Sequence, residues 1–293
     1  MDTQDSGTRS AGDPEGLAGF SDLHNALYAI PESVTQSFAK DVVARLTDRV
    51  LREREVGGFD PLAHNGPTQG EVETLCQALV AEDPGEAARI IDKARQSGRT
   101  ADTLYLRYIS VAARRLGEKW VEDSASFLEV TLGLARLHGI LRALGPTFFA
   151  DAAERDIGIS ALFVPVPGET HLLGLTMATD FFRRSGWRVD LQTSLSFEDL
   201  ARHARENPCE LIGLSAGCRA VTESLALSVE ALRDACPEAV IAVGGYLTEL
   251  EPDIAREVGA DCIVDDVTVA AQSLLQRVKQ RSASIDIAGA QRT

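Results

Sequence analysis

The chain has 293 residues, a formal net charge of -15 and an apolar fraction of 44%. That length suggests about two domains, and the acidic balance argues against a broad nucleic-acid surface, because phosphate binding draws on Lys and Arg. The start Met1-Asp2-Thr3 has neither a basic nor an apolar leader, and no run approaches ~20 apolar residues, so a cytoplasmic protein without a membrane span is expected.

Residues 1 to about 20 are rich in Gly, Ser, Asp and Thr and are expected to be a disordered tail. Residues 21–67 read as a helical extension and linker. Val34, Phe38, Val42, Leu46 and Val50 recur every four residues, the pattern of an amphipathic helix that Ser33 can cap. The basic run Arg45, Arg49, Arg52 and Arg54 is interleaved with Glu53 and Glu55 and reads as a solvated face. Gly57-Gly58 and Asn65-Gly66-Pro67 mark the linker.

Residues 68–150 read as a four-helix bundle. Thr68-x-x-Glu71 is a capping-box signature, followed by Val72, Leu75, Leu79 and Val80 on one face. Asp83-Pro84 can start a second helix that Gly98 ends. A third runs from about Ala101 to Val121. A fourth starts near Ser126, with Glu129 three residues on, and carries Leu132, Leu137, Ile140, Leu141 and Leu144 before Gly145-Pro146. Short connections imply compact antiparallel packing.

Residues 157–281 switch to β/α alternation. The continuous apolar run Ile159–Val166 marks a strand buried on both faces. Strands are expected at Trp187–Gln192, Glu210–Ser215, Ala239–Val243 and Cys262–Val264. The intervening helices are expected at His171–Ser185, Phe197–Arg205, Thr222–Ala235 and Leu250–Val258, with a closing helix at Val267–Lys279. Five such units make an α/β parallel, doubly wound sheet. Residues 282–293 read as a flexible tail.

Ligands of such sheets bind beyond the C-terminal strand ends. There the sequence places His171 after strand 1, Ser215, Gly217 and Cys218 after strand 3, Gly244, Gly245 and Tyr246 after strand 4, and Asp265 and Asp266 after strand 5. In Glu169-Thr170-His171-Leu172-Leu173-Gly174 an imidazole is offered as a metal donor, with Glu169 able to take its second N–H. Gly174 removes a side chain one turn on, where a bulky ligand can pass. A loop or N-cap histidine is the alternative. Gly244-Gly245 serves either a tight turn or close approach of a ligand. Ser215 either bonds a ligand or caps a helix. The letters G-x-S-x-G occur at 213–217, but no histidine follows in the chain, as a hydrolase order requires. The five cysteines (Cys76, Cys209, Cys218, Cys236 and Cys262) are scattered without C-x-x-C spacing, unlike a disulfide scaffold or zinc site. Neither G-x-G-x-x-G nor a Walker A sequence is present.

Together His171, Gly174, Ser215, Gly244 and Gly245 resemble the cobalamin-binding domain family, whose motif is D-x-H-x-x-G after strand 1. The resemblance implies a flavodoxin-like five-stranded sheet, His171 as lower cobalt ligand, and a nucleotide tail running past Ser215 and Gly244-Gly245. Glu169 stands where the family has Asp. The upstream bundle resembles the four-helix cap of methionine synthase and of CarH-type photoreceptor regulators. That likeness implies Trp120 over the upper cobalt face, with Glu129 the nearby acid. Val121 follows Trp120 where CarH-type proteins have a ligating His; His138 is a candidate substitute. A bundle and B12 domain without a DNA-binding domain resembles the AerR/PpaA antirepressors of photosynthesis genes. That implies adenosylcobalamin or hydroxocobalamin as cofactor, and a CrtJ/PpsR-type repressor as partner, with no direct nucleic-acid binding. The site is then Trp120, Glu129, Glu169, Thr170, His171, Gly174, Ser215, Gly217, Gly244 and Gly245. A regulator rather than an enzyme is expected, with a homo-oligomer left open. The alternative is a corrinoid methyl carrier of a methyltransferase system.

Overall fold

A computed structural model describes residues 66–150 and 156–290. The expected tail at 1–20, the helix at 34–50 and most of the linker lie outside the described residues.

The first helix, α1 (Gln69–Val80), opens on a complete capping box: Thr68 Oγ1 accepts from the Glu71 N–H at 3.2 Å, and the Glu71 carboxylate accepts from the Thr68 N–H at 2.8 Å. Helix α2 (Glu86–Gln96) starts later than Asp83-Pro84 suggests. The Asp83 carboxylate accepts instead from the Gly85 N–H at 2.8 Å, closing a turn ahead of the helix. Gly98, with φ 89°, ends it.

The third rod begins as α3 (Ala101–Thr103), widens into a π-helical stretch over Leu104–Ile109 and continues as α4 (Ser110–Val121). Helix α5 (Phe127–Ala150) has its own box, with Ser126 and Glu129 exchanging bonds as Thr68 and Glu71 do. It runs straight past Gly145-Pro146, where the sequence suggested a stop. An interior proline costs about 3 kcal/mol. Beyond it, Phe148 is only 1% exposed and stacks on Tyr105 with ring centroids 4.1 Å apart. Burial of that ring offsets the lost backbone bond. Leu132, expected in the core, is 39% exposed; Leu137, Ile140, Leu141, Leu144 and Phe148 are the buried apolar side chains of this helix, with Gly133 also buried.

The second layer is a five-stranded parallel sheet in the order β2-β1-β3-β4-β5. Its strands are β1 (Ser160–Pro165), β2 (Arg188–Leu191), β3 (Leu211–Ser215), β4 (Val240–Gly244) and β5 (Cys262–Val264). The helices between them are α6 (Leu173–Arg184), α7 (Phe197–Glu206) and α8 (Thr222–Ala235). The single helix expected at Leu250–Val258 is instead two short turns, α9 (Leu247–Leu250) and α10 (Ile254–Glu257). Pro252, between them, has no N–H to continue a ladder. The last helix, α11 (Val267–Ala290), extends beyond Ser282 into the stretch read as a loose tail. Arg281 near that point pairs with Asp261 at 2.8 Å, which holds the helix against the start of β5.

Helix α6 serves two cores. Met177 and Phe181 belong to the bundle's apolar cluster, while Leu175 and Phe182 belong to the sheet's. Polar contacts flank the first pair. The Tyr105 hydroxyl donates to Asp180 at 3.0 Å, and Arg184 forks onto Asp102 while its guanidinium lies 4.0 Å from the Phe148 ring centroid.

Candidate functional site

The chain leaves β1 at Pro165, inside the sheet between edge strand β2 and central strand β3. This is the switch in strand order, where adjacent loops diverge and leave a crevice. Gly168, with φ 93°, turns the chain, and the Glu169 N–H closes the turn on the Val166 carbonyl at 2.8 Å. Glu169 is thereby directed inward, and its side chain is 1% exposed.

Four donors converge on that buried carboxylate. Oε1 accepts from the Thr170 and His171 amides, each at 2.8 Å, and lies 2.5 Å from His171 Nδ1. Oε2 accepts from the Gly217 amide in the loop after β3. Burial opposes ionisation of Glu169, but the bonds from the imidazole and the backbone amides prevail and hold its pKa below the usual range. The bond to Glu169 in turn raises the pKa of His171 against its own desolvation. Because Nδ1 is occupied, Nε2 is the donor atom left to a metal, on a side chain that is 61% exposed. A carboxylate fixing one imidazole nitrogen so that the other can ligate is a common metal-site arrangement.

The glycines divide by what surrounds them. A Cβ on Gly174 meets nothing within 4 Å, so space is open one turn beyond His171. A Cβ on Gly217 falls 2.8 Å from Glu169 Oε2 and 3.3 Å from His171 Nδ1. Gly245 has φ 98°, and a Cβ there falls 2.5 Å from the Ala216 carbonyl oxygen. The loops after β3 and β4 thus touch backbone to backbone, joined by Ala216 N–H to Gly244 O at 2.9 Å and Leu247 N–H to Ala216 O at 3.0 Å. Gly244 is under no such pressure, its nearest neighbour being Val264 at 3.6 Å.

Ser215 is the buried last residue of β3, in register with Pro165 and Gly244. The G-x-S-x-G letters therefore form no exposed elbow. Thr170 is exposed and contributes its amide to Glu169. Asp266 caps α11, accepting from the Thr268 N–H and hydroxyl at 2.8 and 2.6 Å.

The strand ends thus gather Glu169, Thr170, His171, Gly174, Ser215, Gly217, Gly244 and Gly245. The bundle residues lie apart from this hydrogen-bonded group. Trp120 is half-buried near the end of α4. Glu129 is engaged in capping α5, its carboxylate accepting from the Ser126 N–H and hydroxyl at 2.7 Å. His138 is half-buried on α5, where burial, and Arg142 secondarily, lower its pKa. Phe127 and Leu128, apolar yet 49% and 75% exposed, follow Trp120 on the next helix. Sequence reasoning missed the Gly217 amide as a partner of Glu169, and also the Tyr105–Asp180 and Asp102–Arg184 contacts. The longer carboxylate at 169 was the available signal for the first.

The site offers one well-held imidazole donor. A single protein ligand suffices for a metal whose remaining positions are filled by its own macrocycle. The fold is a five-stranded parallel α/β domain behind a helical bundle, with one imidazole at its strand-order switch. Residues 159–275 match the family described as B12 binding domain.

A Rhodobacter capsulatus protein, described as an uncharacterized 20.5 kDa protein in the bchF-crtJ intergenic region, is 26% identical over 181 residues; these cover 61% of this chain and 94% of that protein. Among solved structures, the monomethylamine corrinoid protein of Methanosarcina barkeri is 17% identical with a TM-score of 0.58, over 72% of this chain and 99% of that one. It shares the fold. A cobalamin-binding protein from Desulfitobacterium hafniense DCB-2 is also 17% identical, with a TM-score of 0.39, over 71% of this chain and 98% of that one.

Proposed function

We propose that the protein is a cobalamin-dependent, light- or redox-responsive regulator that acts through a partner repressor of the CrtJ/PpsR type. One observation carries the cofactor assignment. His171 is exposed at the strand-order switch, with Nδ1 fixed by a buried carboxylate and open space beside Gly174. His171 Nε2 would hold the metal, Glu169 would orient the imidazole, and the Gly217, Gly244 and Gly245 backbones would bound the crevice for the rest of the ligand. When bound, cobalamin would supply a cobalt centre responsive to light or oxidation state. Trp120, half-buried, and the exposed Phe127 and Leu128 are the bundle's candidates for apolar contact with the ligand.

The regulatory part of the proposal is supported by the R. capsulatus relative, whose gene position is described by its neighbour crtJ, the same name the repressor type carries. The acidic chain, with a net charge of -15, suits action through a protein rather than on DNA directly.

The test uses the full chain. Adenosylcobalamin and hydroxocobalamin are added separately, and visible spectra are recorded in the dark and after illumination. A base-off, His-on spectrum that His171→Ala abolishes is expected, as is light- or ligand-dependent binding to the repressor. Unchanged affinity and spectrum in the variant would refute the ligand assignment. Methyl transfer without any effect on repressor binding would make the protein a carrier instead.

A further inference from the structure

We infer that Gly217 is a positioning residue for the cobalt-ligating histidine, matched to the length of Glu169; this rests on the cofactor assignment above. Three facts meet at one point. The acid two residues before His171 is glutamate, one methylene longer than the aspartate of the motif D-x-H-x-x-G. Its Oε1 serves His171 Nδ1 at 2.5 Å, while its Oε2 reaches across to the Gly217 amide. Residue 217 has no Cβ, and one placed there falls 2.8 Å from Oε2, 3.3 Å from Glu169 Cδ and 3.3 Å from Nδ1.

The extra methylene carries the carboxylate about 1.5 Å further along its side chain, roughly one C–C bond. That reach takes it into the space a side chain at 217 occupies in any other residue. The carboxylate has little freedom to yield, because three backbone amides and the imidazole hold it and its side chain is 1% exposed. The Gly217 amide therefore acts as the third member of a relay running from Nε2 through Nδ1 and the carboxylate to the β3 loop. It fixes the Glu169 rotamer that keeps the proton on Nδ1. Ligand orientation by such partners typically governs metal affinity by about 10–100-fold.

The length match gives the experiment a compensating arm. Gly217→Ala alone should displace the carboxylate, and Glu169→Asp with Gly217→Ala should restore it, because the shorter acid withdraws from the new methyl group. Two readouts are taken on the full-length protein. The first is the tautomer of His171 in the ligand-free protein, by long-range nitrogen–proton NMR at a pH where the ring is neutral. The second is the affinity for hydroxocobalamin with its visible spectrum. Wild type should show a single Nδ1–H tautomer. Gly217→Ala should show a tautomer mixture and an affinity weaker by about 10–100-fold. The double variant should recover the single tautomer and most of the affinity.

A Gly217→Ala protein with the wild-type tautomer and affinity overturns the inference, as does a double variant no better than the single one. Circular dichroism on each variant separates misplacement of the ligand from loss of fold. If the wild type fails to bind cobalamin, the cofactor assignment fails while the tautomer experiment still decides the positioning role.

Discussion

Removing the Phe148 ring tests how the bundle and the α/β unit are held together. Phe148 lies two residues past Pro146 in α5, is 1% exposed, stacks on Tyr105 at 4.1 Å and meets Phe181 edge-on at 5.0 Å. Arg184 covers its face at 4.0 Å. Phe148→Ala forfeits the transfer energy of the ring and leaves a cavity, together about 3–5 kcal/mol. Loss of the aromatic contacts places the expected value toward the top of that range, since each such pair adds about 0.5–1.5 kcal/mol. For a chain of this size that corresponds to a Tm lower by roughly 6–20 °C.

Urea unfolding of the ligand-free protein, followed by far-UV circular dichroism, measures the change directly. Phe127→Ala is the internal control. Its ring is 49% exposed, and the expected change lies within about 0.5 kcal/mol. A Phe148→Ala loss below about 1 kcal/mol would falsify the claim that this ring carries the helix through Pro146.

Two further outcomes follow from the loops and the sheet edge. Gly245→Ala should destabilise the ligand-free protein by about 2–3 kcal/mol or more, because φ 98° is strained for alanine and the new Cβ meets the Ala216 carbonyl oxygen. Gly244→Ala, with 3.6 Å to its nearest neighbour, should cost under about 1 kcal/mol; equal losses at the two positions in a thermal melt would contradict the backbone contact. Asp261 accepts from the Ile241 amide at 2.7 Å and from Arg233 and Arg281 at 2.8 Å each; burial opposes its ionisation, but these partners win and lower its pKa. A carboxyl lowered in the folded state stabilises above its unfolded pKa of about 3.9, and that contribution is lost as pH falls through the folded value. Asp261→Asn should therefore be less stable at neutral pH and lose less on acidification, and an acid limb as steep as the wild type's would contradict this.

What the sequence makes legible is what depends on neighbours along the chain. Thr68 with Glu71 and Ser126 with Glu129 are local exchanges of bonds, visible as spacing alone. The apolar run of β1 and the alternation after it imply a parallel sheet, and topology then puts His171, Ser215 and Gly244-Gly245 at one edge. Other features depend on distant partners. Nothing near Pro146 reveals that Tyr105 stacks beneath the next turn. Leu132 and Leu128 have the letters of core residues, yet no element among the described residues covers them. Gly217 is visible in the sequence as a glycine after strand 3, but its role against Glu169 is not; that exists only because a carboxylate from a different loop ends where its side chain would begin.

Helix α6 resembles a wall shared by two houses. Met177 and Phe181 finish the bundle's interior while Leu175 and Phe182 finish the sheet's, and His171 stands two residues before the wall begins. A cut between the bundle and β1, which the sequence invites, therefore gives two damaged pieces rather than two modules. The α/β piece has a greasy stripe around Phe181, and the bundle lacks one side of its core. Gene fusions or transplanted sensor units built from this chain should keep the bundle and the α/β unit together, because the boundary that matters for folding runs through the middle of a helix, not through a loop.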